Sequence, residues 1–441
     1  MEKSKIEALP EHILSIMQRL EDYNYEVFLV GGCVRNLLLG KMPVDYDLVC
    51  SASLVQISSI FSRILPIGAK HGTVMVLVDD HRVELSTYKN TDLGALNGQL
   101  SALERDLAGR DFTINAIAMD ASGNLYDPWG GSADLQAKTI KATCNQAEQR
   151  FTEDPLRMMR AIRFATVYDF QICEETCAAI LKLNHLLGGV ARERVREELN
   201  RILISKRASH GIRGLQASGL MAYIIPELEL MVGLDQRNIR HNRDLFEHSL
   251  AVLDGVPARL NVRLAALLHD IGKPACFTVD AAGIGHFYNH HQAGIEISKT
   301  ILQRLKYDNV TVNNVALLVG AHMTRFARLR NAPLKQLIRQ LGENSLQDMY
   351  DLQKADILGS APPFEFAELE QMQLEISNIM HSHQPLELKD LAVSGSDLIA
   401  LGYTPGPNLG EALQKLLDVV LENPAKNQRE VLLEIARHWK H

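Results

Sequence analysis

Asp45 and Asp47 stand two apart in VDYDLV, a stretch with strand alternation, so their carboxylates face one side. Two carboxylates on one face can hold two divalent cations roughly 3.5–4 Å apart, as in-line phosphoryl or nucleotidyl transfer requires. Just upstream, YEVFLVGG runs a strand into Gly31 and Gly32, and helix-like CVRNLLLG follows. Bare backbone at such a turn admits a phosphate, and the helix start offers free N–H groups. Arg35, one turn into that helix, could reach the same phosphates. Glu84, in VELSTY, is a candidate third carboxylate. In GRDFTINA, Arg110 suits a triphosphate clamp, while Asp111 and Asn115 either bind sugar hydroxyls or cap a helix. EDPLRMMRAIRF opens a helix with Asp154 as N-cap and Pro155 at the first helical position. Glu153, Asp154 and Arg157 fall within one turn. They offer donors and acceptors to one base edge, or form a capped helix with an i,i+3 ion pair.

A second constellation lies further on, in HNRDLFEHSL, LAALLHDIGKP, HFYNHHQAG, LLVGAHM and LQKADILGS. Neutral imidazoles and carboxylates from separate helices can hold one or two divalent transition metals and leave room for water. His248, His269, Asp270 and Asp356 form the minimal set, and His290 and His322 complete a second metal site. His286 and His291 lie beside it in sequence.

The elements that must carry these groups change character along the chain. Residues 1–24 read as an amphipathic helix. TVMVLVDD and HRVELSTYK form a hairpin across Asp79–His81, residues 90–102 read as a loop, and FTINAIAMDASGNLYD ends in two short strands. Residues 1–140 are therefore an α/β unit, and beyond Glu153 helical periodicity takes over. A length of 441 residues allows two to four domains at ~100–200 residues each. The chain is 46% hydrophobic and 22% charged, an ordinary globular balance. No run approaches the ~18–20 apolar residues that cross a bilayer. The N-terminal text lacks a signal peptide's apolar core, and the six cysteines are scattered. The expected setting is the cytoplasm, with no membrane partner. A net charge of −7 excludes a histone-like binder, so RNA would be met by local clusters. Those are Arg192, Arg194, Arg196, Arg201, Lys206 and Arg207, then Arg325, Arg328, Arg330, Lys335 and Arg339.

GGCVRN…DYD, GRDFTINA and EDPLRMMRAIRF, in this order, resemble the successive motifs of class II tRNA nucleotidyltransferases, the CCA-adding enzymes and their bacterial poly(A) polymerase relatives. The resemblance implies an α+β protein. A polymerase-β-like nucleotidyltransferase α/β head (1–145) would precede an all-α neck that selects nucleotides and binds RNA (146–240), a body (241–360) and a tail (361–441). It implies Mg²⁺ at Asp45 and Asp47, a base-selecting template of Glu153, Asp154 and Arg157 with Arg160 beside it, and a neck helix in VARERVREELNRIL whose Arg194 supports the pocket. CTP, ATP and the tRNA 3′ end would be its partners. Three departures stand out: Asn36 where the family has Asp, Gly109 for the first Arg of RRD, and Lys89 for the Arg of TFR. The 90–102 loop is also short, which keeps a CC-adding or A-adding product open. IGAKHGTV (67–74) resembles the CCA-type text more than that of the polymerases. The histidine-rich text resembles the HD phosphohydrolase domain, which implies phosphatase or cyclic phosphodiesterase activity on RNA ends or nucleotides.

Overall fold

A computed structural model describes residues 9–68, 72–91, 98–238, 243–324, 331–382 and 385–439. The chain divides into two compact units. One comprises residues 1–202 and 213–224, the other 203–212 and 225–441.

The first unit is built on a seven-stranded sheet of order β3-β4-β5-β2-β1-β6-β7. After helix α1 (Glu11–Asp22) come β1 (Val27–Val30), α2 (Gly32–Leu38), β2 (Asp47–Cys50) and α3 (Leu54–Ile60). The expected hairpin then appears as β4 (Thr73–Val78) and β5 (His81–Thr87), preceded by β3 (Ile64–Gly68). Its two-residue turn closes at Val78↔His81, with Asp79 at φ 52°. Helix α4 (Ala102–Ala108) starts on a capping box between Ser101 and Glu104. β6 (Ala118–Met119) and β7 (Leu125–Tyr126) complete the sheet, so the short strands read at the end of FTINAIAMDASGNLYD are present.

Every residue of β1 is buried, as a strand covered on both faces requires. Phe28, Val30, Val49, Leu103, Leu107, Ala116 and Ala118 form one cluster of this core, which places α4 against the sheet centre. Helices α5 (Gly131–Gln136), α6 (Ala147–Glu153), α7 (Leu156–Tyr168), α8 (Glu174–Leu183) and α9 (Arg192–Leu203) follow. A small parallel pair, β8 (Thr139–Ile140) with β9 (Gln171–Ile172), accompanies them. Next come α10 (Ala208–Ala217) and α11 (Met221–Ile224).

In the second unit, α12 (Leu245–Gly255), α13 (Leu260–Leu268), α14 (Lys273–Cys276), α15 (His290–Arg304), α16 (Asn309–Ala321) and α17 (Asn331–Gly359) pack on one another, and one hairpin, β10 (Phe277–Val279) with β11 (Gly285–Phe287), lies against α14. Helices α18 (Ala367–His381), α19 (Gly395–Ala400), α20 (Pro407–Glu422) and α21 (Arg429–His438) end the chain, the last three around Leu398, Leu416, Leu417, Val420 and Leu432. No helix among the described residues is long and apolar enough to cross a membrane.

Candidate active site

β1 and β2 pair antiparallel and end together at Val30↔Asp47, because β1 gives way to Gly31 at φ 75°. Pairing therefore starts at Asp47, and Asp45 lies in the bend before the strand rather than on it. That corrects the expectation of two strand residues. The carboxylates still interact: the Asp47 carboxyl is raised above its ordinary value by burial first, lowered again by Arg110, and raised by Asp45. Glu84 is placed as expected, since the parallel β2–β5 register sets it beside Asp47. Burial and then the Asp47 charge raise its carboxyl also. Two raised carboxyls side by side, with Asp47 half-buried and the Asp45 charge acting on it, form a site whose electrostatic cost a cation relieves.

Arg110 is the cation that reaches this edge. A Cβ built at Gly31 would lie 2.8 Å from Arg110 Nη1 and 3.7 Å from Asp47 Oδ2, so the bare glycine admits the guanidinium beside the carboxylate. Asp106 Oδ2 accepts from Arg110 Nη2 at 3.3 Å, and Arg110 Nε is buried with no hydrogen-bond partner. An orphaned buried donor beside an acidic cluster fits a phosphate oxygen.

Arg35 is not available in this way. It is 7% exposed. Its Nη1 donates to Asn115 Oδ1 at 2.5 Å and its Nη2 to Asn36 Oδ1 at 3.1 Å, with the guanidinium over the rings of Tyr168 and Phe164. Those contacts make Arg35 a structural tie between α2 and α7 through its two terminal nitrogens, while its Nε, like that of Arg110, is buried with no hydrogen-bond partner. Asp111 and Asn115 belong to the same buried chain. Asp111 Oδ1 accepts from Phe112 N and Asn115 Nδ2, and its Oδ2 accepts from Arg160 Nε at 2.8 Å. Burial raises the Asp111 carboxyl, but Arg160 and Asn115 outweigh it and leave it below the ordinary range. These contacts brace the pair, and the helical turn at Thr113–Asn115 has no side-chain cap, so capping is not what either residue does.

The base-edge trio is brought together at the junction of α6 and α7. Glu153 Oε1 accepts from Arg150 Nη2 at 2.5 Å, and its Oε2 from Arg157 Nη1 at 3.3 Å. Arg157 Nη2 donates to the Gly109 carbonyl at 2.8 Å. Asp154 takes both terminal nitrogens of Arg194, at 3.2 and 2.8 Å. Sequence reading passed over three supporting residues. Arg150 is wholly buried and braces Glu153. Glu198 is 5% exposed, with Arg163 at 2.5 Å and Arg160 at 3.8 Å. Asp106 holds Arg110. Their i,i+3 and i,i+4 spacings (Arg150–Glu153, Asp106–Arg110) were visible signals; the tertiary Glu198 pair had none.

In the second unit the six expected metal residues converge. His248 on α12, His269 just past α13 and Asp356 on α17 bring one ligand atom each within 4.8 Å of one another, and Asp270, His290 and His322 do the same. Asp270 joins the groups: its Oδ2 lies 3.2 Å from His269 Nε2, and its Oδ1 lies 3.4 and 3.6 Å from His290 and His322. The Nδ1 atoms of His269, His290 and His322 meet carbonyls of Ala266, Phe287 and Val319 at 2.9, 2.7 and 2.6 Å, which turns each Nε2 toward the centre. Lys273 Nζ lies 2.7 Å from Asp270 Oδ2 and donates to Gln236 Oε1. His286 pairs instead with Asp280 on the hairpin, and His291 sits beside His290 without joining either trio.

Among the basic residues expected to meet RNA, Lys335 is excluded: it is 2% exposed, and its ammonium donates to the Leu421 carbonyl at the end of α20. Arg325, Arg328 and Arg330 lie outside the described residues, as do 92–97 of the loop and 69–71 of IGAKHGTV.

The sheet sets Asp47 beside Glu84, with Asp45 in the bend before β2 and Arg110 against Gly31, an arrangement suited to metal-assisted nucleotidyl transfer. Matching families agree: the poly A polymerase head domain over residues 27–141, the "Probable RNA and SrmB- binding site of polymerase A" over 169–231, and tRNA nucleotidyltransferase domain 2 over 289–436. The chain is 33% identical to the A-adding tRNA nucleotidyltransferase of Deinococcus radiodurans (88% of this chain, 90% of that one) and 31% identical to the CCA-adding enzyme of Enterococcus faecalis (96% and 94%). It is 30% identical to the CC-adding tRNA nucleotidyltransferase of Thermus thermophilus (92% of each). The crystal structure of the Bacillus stearothermophilus CCA-adding enzyme in complex with CTP superposes with a TM-score of 0.71 at 28% identity, covering 97% of this chain and 98% of that one. The chain belongs to the class II tRNA nucleotidyltransferase family.

Proposed function

We propose that the protein extends the 3′ end of tRNA with CMP and AMP taken from CTP and ATP, building or repairing CCA. The observation that carries this is the joining of two half-sites by one turn. Arg110 faces the Asp45/Asp47/Glu84 edge, while the carbonyl of its neighbour Gly109 holds the base-reading Arg157. A divalent cation, Mg²⁺ in this reading, fits Asp45, Asp47 and Glu84; when bound it lowers the pKa of the RNA 3′-hydroxyl and neutralises the departing pyrophosphate. The protein's own groups do the positioning. Gly31 leaves space for Arg110 beside the triphosphate, and Arg110 Nε offers it a donor. Asp154 accepts from an exocyclic amine, while Arg157 donates to the neighbouring ring nitrogen. Cytosine and adenine present that amine–acceptor pair; uracil and guanine present its reverse. A cytoplasmic setting and a head, neck, body and tail division at residues 145, 240 and 360 go with this reading.

Relatives that add CC, A or CCA all share 30–33% identity with this chain, so partial products are the alternative outcome. The test uses purified protein, Mg²⁺ and tRNA ending at the discriminator base, at C or at CC, each with CTP, ATP or both. Full CCA on the first transcript supports the proposal. Arrest at CC, or addition of A to tRNA-CC alone, replaces it with the partial activity.

A second reading is favoured by the two converging trios. His248, His269, Asp356, Asp270, His290 and His322 fit a pair of transition-metal ions, and such a centre supports phosphomonoester or cyclic phosphodiester hydrolysis at RNA ends or on nucleotides. Metal analysis of the protein, with opening of a 2′,3′-cyclic phosphate at an RNA end to the monoester and release of inorganic phosphate from a terminal monoester as the activities, tests it.

A further inference from the structure

Gly109 has an ordinary helical backbone, φ −73° and ψ −9°, so its conformation does not require glycine. Its surroundings do. A Cβ built there would overlap the Thr91 hydroxyl oxygen and lie 3.4 Å from the Asp106 carbonyl. Thr91 belongs to the stem that follows β5, and that stem is fastened to the same turn, because Lys89 N donates to Asp106 Oδ1 at 2.9 Å. The opposite side of the turn serves the site. The Gly109 carbonyl holds Arg157 Nη2, Asp106 Oδ2 holds Arg110, and the Ala108 carbonyl accepts from Arg150 Nη1 at 3.2 Å.

We propose that Gly109 is a positioning residue for base selection: its missing side chain lets Thr91 seat against the turn whose carbonyl aims Arg157. The proposal rests on the nucleotide-reading role of Arg157. A side chain at 109 displaces the Thr91 hydroxyl about χ1 and, with Thr91 Cβ itself at 3.4 Å, presses on the stem or the carbonyl. The stem is tied through Lys89, so the carbonyl and the Arg157 guanidinium move. Arg110 is held by Asp106 Oδ2, three residues before the substituted position, whereas Arg157 is held by the Gly109 carbonyl itself, so the larger effect falls on the base.

The experiment compares wild type with Gly109→Ala, Thr91→Ala and the double variant, measuring kcat and KM for CTP and ATP on tRNA and the preference for each over UTP. Gly109→Ala is expected to raise KM for CTP about tenfold, the loss of one well-placed hydrogen bond, and to erode the preference over UTP, with kcat nearly unchanged. Thr91→Ala alone stays within about twofold, and the double variant returns to within about threefold of wild type, since the overlap is with Thr91. A folded Gly109→Ala protein with unchanged KM and preference refutes the proposal, as does a double variant no better than Gly109→Ala. Should Gly109→Ala fail to fold, Thr91→Ala must restore both folding and preference in the double variant, or the proposal fails. A wild type that extends no RNA defeats the functional reading; an active wild type with an unresponsive Gly109→Ala defeats this inference alone.

Discussion

Replacing Arg157 by alanine separates base reading from everything else in the site. In the free protein the Arg157 guanidinium donates to the Gly109 carbonyl at 2.8 Å and the Arg150 carbonyl at 3.3 Å, and pairs with Glu153 at 3.3 Å. Its side chain is 17% exposed, so one edge meets solvent where a base would arrive. Glu153 keeps its shorter contact with Arg150 when Arg157 is removed, so no carboxylate is left buried and unpaired. The folding cost is therefore that of modest hydrogen bonds, about 1–2 kcal/mol. The catalytic cost is different in kind. A donor–acceptor pair that reads a base edge contributes about 1–3 kcal/mol of discrimination, which is roughly a 5- to 150-fold preference. Arg157→Ala should lose that factor in the ratio of kcat/KM for CTP over UTP. Incorporation of the nucleotide it accepts should still depend on Asp47. The assay is single-nucleotide extension of tRNA with CTP or UTP, across concentrations that resolve KM. An Arg157→Ala protein that melts near wild type and keeps its full CTP preference would refute the template assignment.

Asp47→Asn should abolish extension and, in metal-free buffer, melt at or above the wild-type temperature. Asp47 and Glu84 have raised carboxyl values, so the folded state holds protons more tightly than the unfolded chain, and ionisation at neutral pH costs stability. The same sign makes divalent-metal binding weaken on acidification earlier than for ordinary carboxylates, which a Mg²⁺ titration at several pH values would show. Glu198→Ala leaves Arg163, 8% exposed, without its partner, and breaking such a buried pair costs about 3–5 kcal/mol; urea unfolding that shows under 1 kcal/mol contradicts this. His269→Ala should lower the transition metal retained per chain, measured by mass spectrometry, and leave CMP incorporation within about twofold. Unchanged metal content would dismiss the second centre as a ligand set.

Spacing along the chain revealed those parts of the site that one element builds. Glu153, Asp154 and Arg157 are neighbours in sequence and stay together across the α6–α7 junction, and Asp47 and Glu84 lie on strands whose alternation was plain. The histidine and aspartate cluster of the second unit was legible for another reason: such side chains in apolar helices are costly unless they meet, and they do. What stayed hidden was the direction of individual side chains. Arg35 and Lys335 have the sequence look of ligand-facing cations, yet one lies over the rings of Phe164 and Tyr168 and the other caps a distant helix. No periodicity separates an arginine that points to a phosphate from one that points to Asn115. The start of β2 was misplaced for a similar reason, since pairing ends where the partner strand turns at Gly31.

The base edge alone cannot decide whether the product ends in CC or CCA. In the proposed reading Asp154 and Arg157 meet an amine beside a ring acceptor in both cytosine and adenine, and relatives with all three products resemble this chain about equally. Discrimination between the two accepted bases must come from reach: adenine's two-ring body sets its reading edge further from the sugar than cytosine's. With the triphosphate held at Arg110, acceptance of both requires the Asp154–Arg157 pair to take two positions relative to the Asp45/Asp47 edge. One turn, Asp106 to Arg110, connects those two sides and also anchors the stem at Lys89 and Thr91. A chain with a rigid turn would serve one base size, and a chain whose turn can shift would serve two. Crosslinking a Thr91→Cys variant to a cysteine placed at Ala108 should therefore preserve addition of one nucleotide and block the other. Equal loss of both, with nucleotide binding intact, would place the control of product elsewhere.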